Sequence, residues 1–308
     1  MVSPVLSIVV GIVSDTTEAV PRAHLLAECL EGLAQQIDAP TFEIIVPHLK
    51  HVEGLEAVKA RFPDVRFLPA PDVVAHPGGR EHHDVLRARG LAAAQGELVG
   101  LLEDHARPDP RWAASVIDAH RLTHAAVGGA IENGVDRALN WAVYYCDFGR
   151  YQNPVPAGET PFASDANTTY KRAELESVRS VWDDAFREVV VNDALKSSGR
   201  TIVLDPKVIV YQNRGGLTLG AALHERFSWG RSYAATRLAL LTTPKRFAYA
   251  ALSPVLPALL LVRMGRTAWV RKRHFADFVR SVPFLIPLLI GWSLGETIGY
   301  LAPQRLRG

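Results

Sequence analysis

Residues 87–112 read RARGLAAAQGELVGLLEDHARPDPRW, and this stretch decides the fold. An alanine-rich helical segment ends near Gly96, as a helix with a glycine cap does. The run Leu98–Leu102 follows at once and is apolar throughout apart from Gly100, which is typical of a strand buried on both faces. Three polar residues, Glu103-Asp104-His105, come directly after it. The stretch therefore predicts a helix, a buried strand and a polar cluster at the carboxyl end of that strand.

The same alternation of strand and helix precedes this stretch. Apolar runs at Leu6–Val13, Phe42–Val46 and Val65–Leu68 predict three more strands, and the second is expected to stop at the proline that follows it. Helical spacing over His24–Gln36 and Leu55–Phe62 predicts the intervening helices. Strands alternating with helices predict an α/β domain with a mostly parallel sheet. Ligands of such sheets bind beyond the carboxyl ends of the strands, so the 103–105 cluster is a candidate site.

The later chain is less regular. Ala125–Glu132 predicts a strand, residues 171–200 are largely helical, and Thr201–Leu204 and Val208–Tyr211 predict two short strands. Residues 133–165 mix aromatics and prolines without a readable period. We expect one domain over residues 1–240 and a separate helical region over residues 241–308.

Composition limits the class of protein. Of 308 residues, 48% are hydrophobic, 21% are charged and two are cysteines, which excludes a disulfide scaffold or a disordered chain. The cysteine count favours a reducing compartment. No charged leader precedes an apolar run at the start of the sequence, so we expect no signal peptide and a cytosolic head.

The last part of the chain is basic and apolar. Ten basic and two acidic residues after position 240 give it a charge of +8, against −6 for the rest. A basic, apolar tail of this kind is typical of a protein that binds an anionic membrane surface. A nucleic-acid-binding protein would instead be expected to carry its basic residues along a folded groove.

Two apolar segments in this tail are candidates for contact with the bilayer. Phe247–Val262 has 16 residues without a charge and contains two prolines, whereas Val282–Pro303 has 22 residues and one charge. The second is long enough to span a bilayer and the first is marginal. Two spans would place the basic loop between them outside, against the positive-inside tendency. Either both segments span and the rule is violated, or the first lies in the interface or re-enters.

The 103–105 cluster has the chemistry of a cation site. Adjacent carboxylates and an imidazole can hold a divalent ion such as Mg²⁺ or Mn²⁺, with substrate phosphates completing its shell. Such an ion would neutralise charge on a departing diphosphate. The alternative is a polar turn that caps the helix predicted over Arg111–Thr123.

The stretch 87–112 resembles the family-2 glycosyltransferases of GT-A fold. These carry an arginine, then G-x-x-x-A-x-G-E, an apolar strand and a short acidic motif followed by proline; here the acidic motif reads EDH. Three further segments resemble the family in the right order: residues 165–172 (DANTTYKR), 199–206 (GRTIVLDP) and 226–231 (RFSWGR). The resemblance covers roughly residues 5–235.

The resemblance implies transfer of a sugar from a nucleoside diphosphate donor, usually with a divalent metal. Asp104 and His105 would hold the metal and the diphosphate, and Glu103 would face the donor ribose or sugar. Arg87 would approach the donor, and Asp165 and Asn167 would border the sugar and acceptor. Gly11 and Asp15, near the end of the first strand, are further candidates for contact with the donor.

Inverting members of the family use one carboxylate to take the acceptor proton, from an E-D motif ahead of the closing glycine. Counting back from Gly199, that motif falls on Arg187-Glu188, so Glu188 is the candidate base. Alternatively, Glu188 is an exposed helix residue without a catalytic role. Asp183, Asp184 and Asp193 are rivals.

One feature of the sequence departs from the family pattern, and a group of histidines has no counterpart in it. The aspartate that reads the nucleobase is missing after the second strand, where Pro47-His48 stands, and Asp15 or Asp72 would have to substitute. Three histidines, His76, His82 and His83, suggest a second metal site, but their spacing matches no usual ligand set. It favours solvated loop residues, or contact of one of them with a phosphate.

Residues 226–231 are candidates for the acceptor side. Trp229, with Phe227 and Tyr233, would form a surface for a sugar or lipid, or else pack in an interfacial belt. Arg226 and Arg231 would grip a phosphate, or else anchor the surface.

The predicted function is a membrane-attached, inverting, metal-dependent glycosyltransferase with its catalytic domain on the cytoplasmic face. Its acceptor would be a polyprenyl-linked glycan or another envelope lipid. Processive polymer synthesis is disfavoured because Q-x-x-R-W is absent and too few spans follow. The alternative is an inactive scaffold that binds a nucleotide sugar and anchors a biosynthetic complex. A nucleotidyltransferase is a third possibility, but it lacks the expected glycine-rich basic loop.

Overall fold

The computed structural model describes residues 3–13, 22–75, 80–238 and 241–302. Its backbone divides into two compact units. Unit 1 comprises residues 1–134 and 151–213, and unit 2 comprises residues 135–150 and 214–308. The predicted domain boundary at residue 240 stays a prediction.

Unit 1 is an α/β unit built on one mostly parallel sheet, as the sequence predicts. Its strands, within the described residues, are β1 (Leu6–Gly11), β2 (Phe42–Leu49), β3 (Arg66–Ala70), β4 (Leu98–Glu103), β5 (Ala106–Pro108), β6 (Ala126–Asn133), β7 (Gly158–Glu159), β8 (Asn167–Lys171) and β9 (Ile202–Gln212). They lie in the order β3-β2-β1-β4-β8-β6-β9-β5, and β7 pairs with β9. The strands β1 to β4 are parallel, and so are β6 and β9. In contrast, β8 runs antiparallel between β4 and β6.

The helices of unit 1 cover the sheet and bury its apolar strands. They are α1 (Leu26–Ala34), α2 (Leu55–Arg61), α3 (Glu81–Ala93), α4 (Trp112–Ala119), α6 (Arg172–Ser177) and α7 (Glu188–Ser197), and α5 (Ala138–Asp147) belongs to unit 2. Strand β1 is buried along its whole length. Gly90 lets α3 approach it, since a Cβ there would lie 2.4 Å from a methyl group of Val9. Helix α3 therefore packs closely on β1, the strand that pairs with β4 and the 103–105 cluster.

Two strand predictions need correction. Strand β2 continues through Pro47 to Leu49. Its pairing with β1 is recorded only as far as Ile45, so the missing N–H of Pro47 leaves that ladder intact. The two short strands predicted after residue 200 form the single strand β9. Its register against β6 shifts between Gly129 and Ala130, and residues 206–208 bulge there.

Unit 2 consists of helices. Besides α5 it contains α8 (Leu219–Leu238), α9 (Thr243–Leu252), α10 (Leu256–Arg271) and α11 (Phe275–Leu301). A 3₁₀ turn, Ser253–Val255, separates α9 from α10. Two helical stretches within the described residues, Thr243–Arg271 and Phe275–Leu301, are long and apolar enough to cross a membrane by length and composition.

Candidate functional site

The 103–105 cluster lies at the carboxyl ends of two neighbouring parallel strands. Gly11 of β1 pairs with Glu103 of β4, and its carbonyl accepts a hydrogen bond of 2.9 Å from the amide of Asp104. Glu103, Asp104 and His105 are all buried. The sheet register therefore fixes three polar side chains where the sequence predicts a site.

His105 lies between the two carboxylates of the cluster. Its Nδ1 is 3.2 Å from Asp104 Oδ1, and its Nε2 is 3.3 Å from Glu103 Oε2. Burial alone would lower the pKa of His105, but the hydrogen bonds to Asp104 and Glu103 outweigh it and raise the pKa to about 9. Burial alone would raise the pKa of Glu103, but His105 and Arg87 hold that pKa at about 2. At neutral pH the ring is an imidazolium that donates from both nitrogens.

Arg87 joins the cluster to carboxylates elsewhere in unit 1. Its guanidinium is only 2% exposed and lies 2.9 Å from Asp165, 3.6 Å from Glu103 and 3.6 Å from Asp84. The guanidinium thus binds three carboxylates from three separate segments. Its predicted contact with a donor stays a prediction.

Glu188 belongs to the same network. It is the first residue of α7, and its Oε2 accepts a hydrogen bond of 2.6 Å from the amide of Asp165. Burial, and then the charge of Asp165, raise the pKa of Glu188 well above its ordinary value, while Arg87 opposes the rise. A continuous series of contacts therefore runs from Glu188 through Asp165 and Arg87 to Glu103.

The rival bases lie on the surface. Asp183 forms an exposed ion pair with Arg179, and Asp193 forms one with Lys196. Asp184 is exposed. Of the four acidic residues considered for the role, Glu188 is the one whose recorded contacts lead to the cluster.

The donor set fits a divalent ion only in part. The carboxylate of Asp104 is the hard oxygen ligand that Mg²⁺ and Mn²⁺ prefer. Its Oδ1 already accepts hydrogen bonds of 3.2 Å from His105 and from the amide of Val13. His105 would have to lose a proton before it could bind a metal. The described residues contain no group of three or more potential ligands arranged to hold an ion.

Two residues of the site were missed by sequence reasoning. Asp84 lies one helical turn before Arg87 on α3, and burial raises its pKa to about 6 despite the charge of Arg87. An acidic and a basic residue three positions apart on a helix are neighbours, so the sequence alone could have predicted this ion pair. Gln212 donates to Glu103 Oε2 over 3.4 Å from the end of β9, and nothing in the local sequence marks it.

Asn167 has a structural role in the sheet. It is fully buried, its Nδ2 donates to the carbonyls of Ala130 and Val208 at 2.9 Å each, and its Oδ1 accepts from Trp112 Nε1 at 2.9 Å. Both of its N–H groups bind backbone, and its predicted contact with the sugar or acceptor stays a prediction.

The structure describes three of the five residues considered for contact with the nucleobase or for a second metal site. Asp72 is paired with Arg89 on the surface. His82 and His83 are buried in the first turn of α3 with ring centroids 4.0 Å apart, so their prediction as solvated loop residues is wrong. The reason is that α3 begins at Glu81, so both histidines belong to a helix rather than to a loop. Asp15 and His76 lie outside the described residues.

The predicted acceptor residues on α8 belong to unit 2. Arg226 is 2% exposed and binds Asp147 of α5 through two contacts of 2.5 and 3.0 Å. Its guanidinium also lies 4.2 Å from the ring centroid of Trp229. Arg231 is half-buried, 5.9 Å from the ring of Phe227. Arg226 therefore holds α5 and α8 together, and its role as a phosphate ligand stays a prediction.

A cavity of about 570 Å³ lies at the other end of β4. Leu98, Lys171 and Arg172 are among its lining residues. Since Leu98 begins the strand that Glu103 ends, this cavity is separate from the candidate site.

Comparison with solved structures shows the fold. The mannosyltransferase PcManGT from Pyrobaculum calidifontis, solved in complex with GDP-Man and Mn²⁺, matches 96% of this chain and 88% of its own, with a TM-score of 0.52 and 16% identity. The chain has a GT-A-like fold. TarS 1–349 from S. aureus matches 98% of this chain and 93% of its own, with a TM-score of 0.45 and 14% identity. The fold assignment rests on the first of the two. No family model and no curated protein sequence matches the chain.

Proposed function

We propose that the chain is a membrane-attached, inverting glycosyltransferase that moves a sugar from a nucleoside diphosphate to a hydroxyl of a lipid-linked glycan or envelope lipid. The observation that carries this proposal is the series of contacts from Glu188 to the 103–105 cluster. It places the candidate base and the acidic motif in one network, although 85 positions separate Glu188 from Glu103.

The proposed reaction is a single displacement. Glu188 takes the proton of the acceptor hydroxyl, the hydroxyl oxygen attacks the anomeric carbon, and the bond from that carbon to the diphosphate breaks. The electron pair leaves with the nucleoside diphosphate. Because burial raises the pKa of Glu188, its carboxylate is a stronger base than an exposed glutamate. The rate should therefore rise with pH over a range above the ordinary titration of glutamate.

The charges of the site would act on the donor. When a divalent ion enters with the donor, Asp104 would hold it, and the ion would offset the charge of the leaving group. Arg87 orients Asp165, and the amide of Asp165 in turn orients Glu188. Arg231 and Trp229 remain the proposed acceptor contacts, with attachment through α9 to α11 and unit 1 on the cytoplasmic face.

Glu188→Gln tests the proposed base, with Asp193→Asn on the same helix as the matched control. The assay follows nucleoside diphosphate release by the full chain in detergent, with nucleotide sugars, Mg²⁺ or Mn²⁺ and a lipid acceptor. We expect Glu188→Gln to lower turnover by about 10²- to 10⁴-fold, since it removes general base catalysis. Asp193→Asn should behave like the parent. Equal turnover for Glu188→Gln and the parent would overturn the assignment.

The inactive scaffold remains the second candidate, because His105 already binds both carboxylates of the cluster. A scaffold would release no nucleoside diphosphate from any donor and yet bind one. Donor binding raises the melting temperature by mass action for an enzyme and for a scaffold, so thermal shift measures binding and the release of nucleoside diphosphate separates the two functions. Asp104→Ala should abolish the part of that shift that depends on metal. An unchanged shift would remove Asp104 from the proposed metal contact.

A further inference from the structure

Helix α11 exposes one apolar stripe. Val279, Ile286, Ile290, Leu294 and Ile298 are each between 38% and 53% exposed. They are spaced by seven, four, four and four positions, which places them on one face of a helix. Residues of the preceding helical segment are also exposed and apolar, among them Leu252, Val255, Leu259 and Val262. Apolar side chains exposed over this length require a cover in water.

The opposite side of α11 is covered from end to end by helices that carry charge. At its start, the Tyr145 hydroxyl of α5 donates to the carbonyl of His274 at 2.9 Å. Towards its end, Gly295 contacts α8 so closely that a Cβ there would lie 2.1 Å from the carbonyl oxygen of Phe227. The buried pair of Arg226 and Asp147 joins α8 to α5.

This packing conflicts with a transmembrane position for α11. A spanning helix at this place would draw α5 and α8 into the hydrocarbon along its whole length. Helix α8 carries charged residues along its length, including Glu225 and Arg237, and it exposes His224. Charged side chains are costly in the hydrocarbon region, so a span is disfavoured.

Within the 29-residue helical stretch Thr243–Arg271, the uncharged part is shorter than the hydrocarbon core is thick. Its 16 uncharged residues reach about 24 Å as a helix, against about 30 Å for the hydrocarbon core. A 3₁₀ turn interrupts it at Ser253–Val255, and Arg263 and Arg266 are exposed on α10. The segment runs antiparallel to α11. Arg246 binds the carbonyl of Leu301 at 2.8 Å, and the ring of Trp269 packs 5.0 Å from that of Phe275.

We propose that α9, α10 and α11 form a hairpin that lies in the plane of a single leaflet of an anionic membrane. The apolar stripe of α11 enters the leaflet, and α5 and α8 stay on the water side. The exposed cations Arg263, Arg266, Lys272 and Arg273 meet acidic headgroups. This inference rests on the proposed membrane attachment, and it is independent of glycosyl transfer.

Two single cysteines, Ala276→Cys and Ala302→Cys, test the arrangement. Both positions are exposed and lie at opposite ends of α11. Each variant is added from outside to sealed vesicles that contain anionic lipid, floated with them, and treated with a membrane-impermeant maleimide. The parent, with Cys29 and Cys146, gives the background labelling. A hairpin in one leaflet should expose both ends on the outside, so both cysteines should label at rates within about threefold of each other.

The other outcomes overturn the proposal. Labelling of one end only, with the second released by detergent, would show a span, and protection of both ends would show deeper insertion. Failure to float would remove the membrane attachment itself. None of these results depends on catalysis, so the release of nucleoside diphosphate still decides the proposed reaction separately.

Discussion

Replacing Arg87 with methionine should destabilise unit 1 in a manner that depends on pH. Arg87 is a buried cation placed 2.9 to 3.6 Å from three carboxylates. At such distances each attraction is about 5 kcal/mol for an effective dielectric constant near 20, before the cost of burying the guanidinium is subtracted. Breaking a buried pair by removing one partner typically costs about 3–5 kcal/mol. Methionine keeps most of the side-chain length, so the loss reports mainly on charge.

The sign of the pH effect follows from the carboxylates that remain. Arg87 lowers the pKa of Glu103 and opposes the rise in the pKa of Asp84. Without it, the folded-state pKa of Asp84 rises further above its ordinary value, and the pKa of Glu103 rises from its low value of about 2. Groups with raised folded-state pKa values destabilise the fold as pH rises through the range between the unfolded and folded values. The loss should therefore be largest near pH 8 and smaller near pH 5.

The assay is thermal unfolding of the full chain across this pH range. A loss of 3–5 kcal/mol corresponds to a fall in Tm of roughly 10 °C at pH 8 for a unit of this size. The matched control is Arg89→Met on the same helix, where the lost partner Asp72 is exposed and the expected effect is small. Adding Asp165→Asn to Arg87→Met should recover part of the loss, because the two residues are in contact. An equal Tm for Arg87→Met and Arg89→Met at pH 8 would refute the reasoning.

Two further predictions concern stability in each unit. Asp84→Asn should stabilise unit 1 by up to about 3 kcal/mol at pH 8 and by nothing below pH 4, because the raised pKa of about 6 marks a cost that appears only on ionisation. Urea unfolding at the two pH values measures it, and a pH-independent difference would contradict it. Gly295→Ala should destabilise unit 2 by about 1–3 kcal/mol, since its Cβ would lie 2.1 Å from a backbone oxygen. Gly291→Ala is the control in thermal unfolding, because its Cβ would lie 3.6 Å from its nearest neighbour; equal melting of the two variants would contradict the close approach of α8 and α11.

The sequence predicts the parts of the site that depend on strand periodicity. Strands β1 and β4 each show as a short apolar run, and β4 leads directly into the 103–105 cluster. Their parallel pairing places Gly11 opposite Glu103, as an α/β sheet requires. Glu188 was selected as the candidate base from motif order alone, and its hydrogen bond with the amide of Asp165 is a finding of the structure.

The remainder depends on contacts between distant segments. No local pattern shows that Arg87 lies 2.9 Å from Asp165, 78 positions later in the chain, or that Gln212 reaches Glu103. The protonation of His105 depends on its burial and on two carboxylates at hydrogen-bonding distance. The sequence shows that the two carboxylates are neighbours of His105 in the chain, but it does not show the burial. Helix α5 was unreadable because it is buried on nearly all sides, which removes the amphipathic period that identifies a helix.

The charge distribution of the network constrains how a donor can bind. Asp84, Glu103, Asp104, Asp165 and Glu188 supply five carboxyl groups, and Arg87 and His105 supply two cations. A nucleoside diphosphate adds negative charge to this site. Two features reduce the repulsion it would meet: the raised pKa values of Glu188 and Asp84, which favour their neutral forms, and the imidazolium of His105. If Glu188 is the base, it has to release its proton before it accepts one from the acceptor. Donor binding is therefore favoured by the neutral form of Glu188, whereas proton abstraction requires its carboxylate form. A divalent ion that arrives with the donor would satisfy both, because it would neutralise the diphosphate and lower the pKa of nearby carboxyl groups at once.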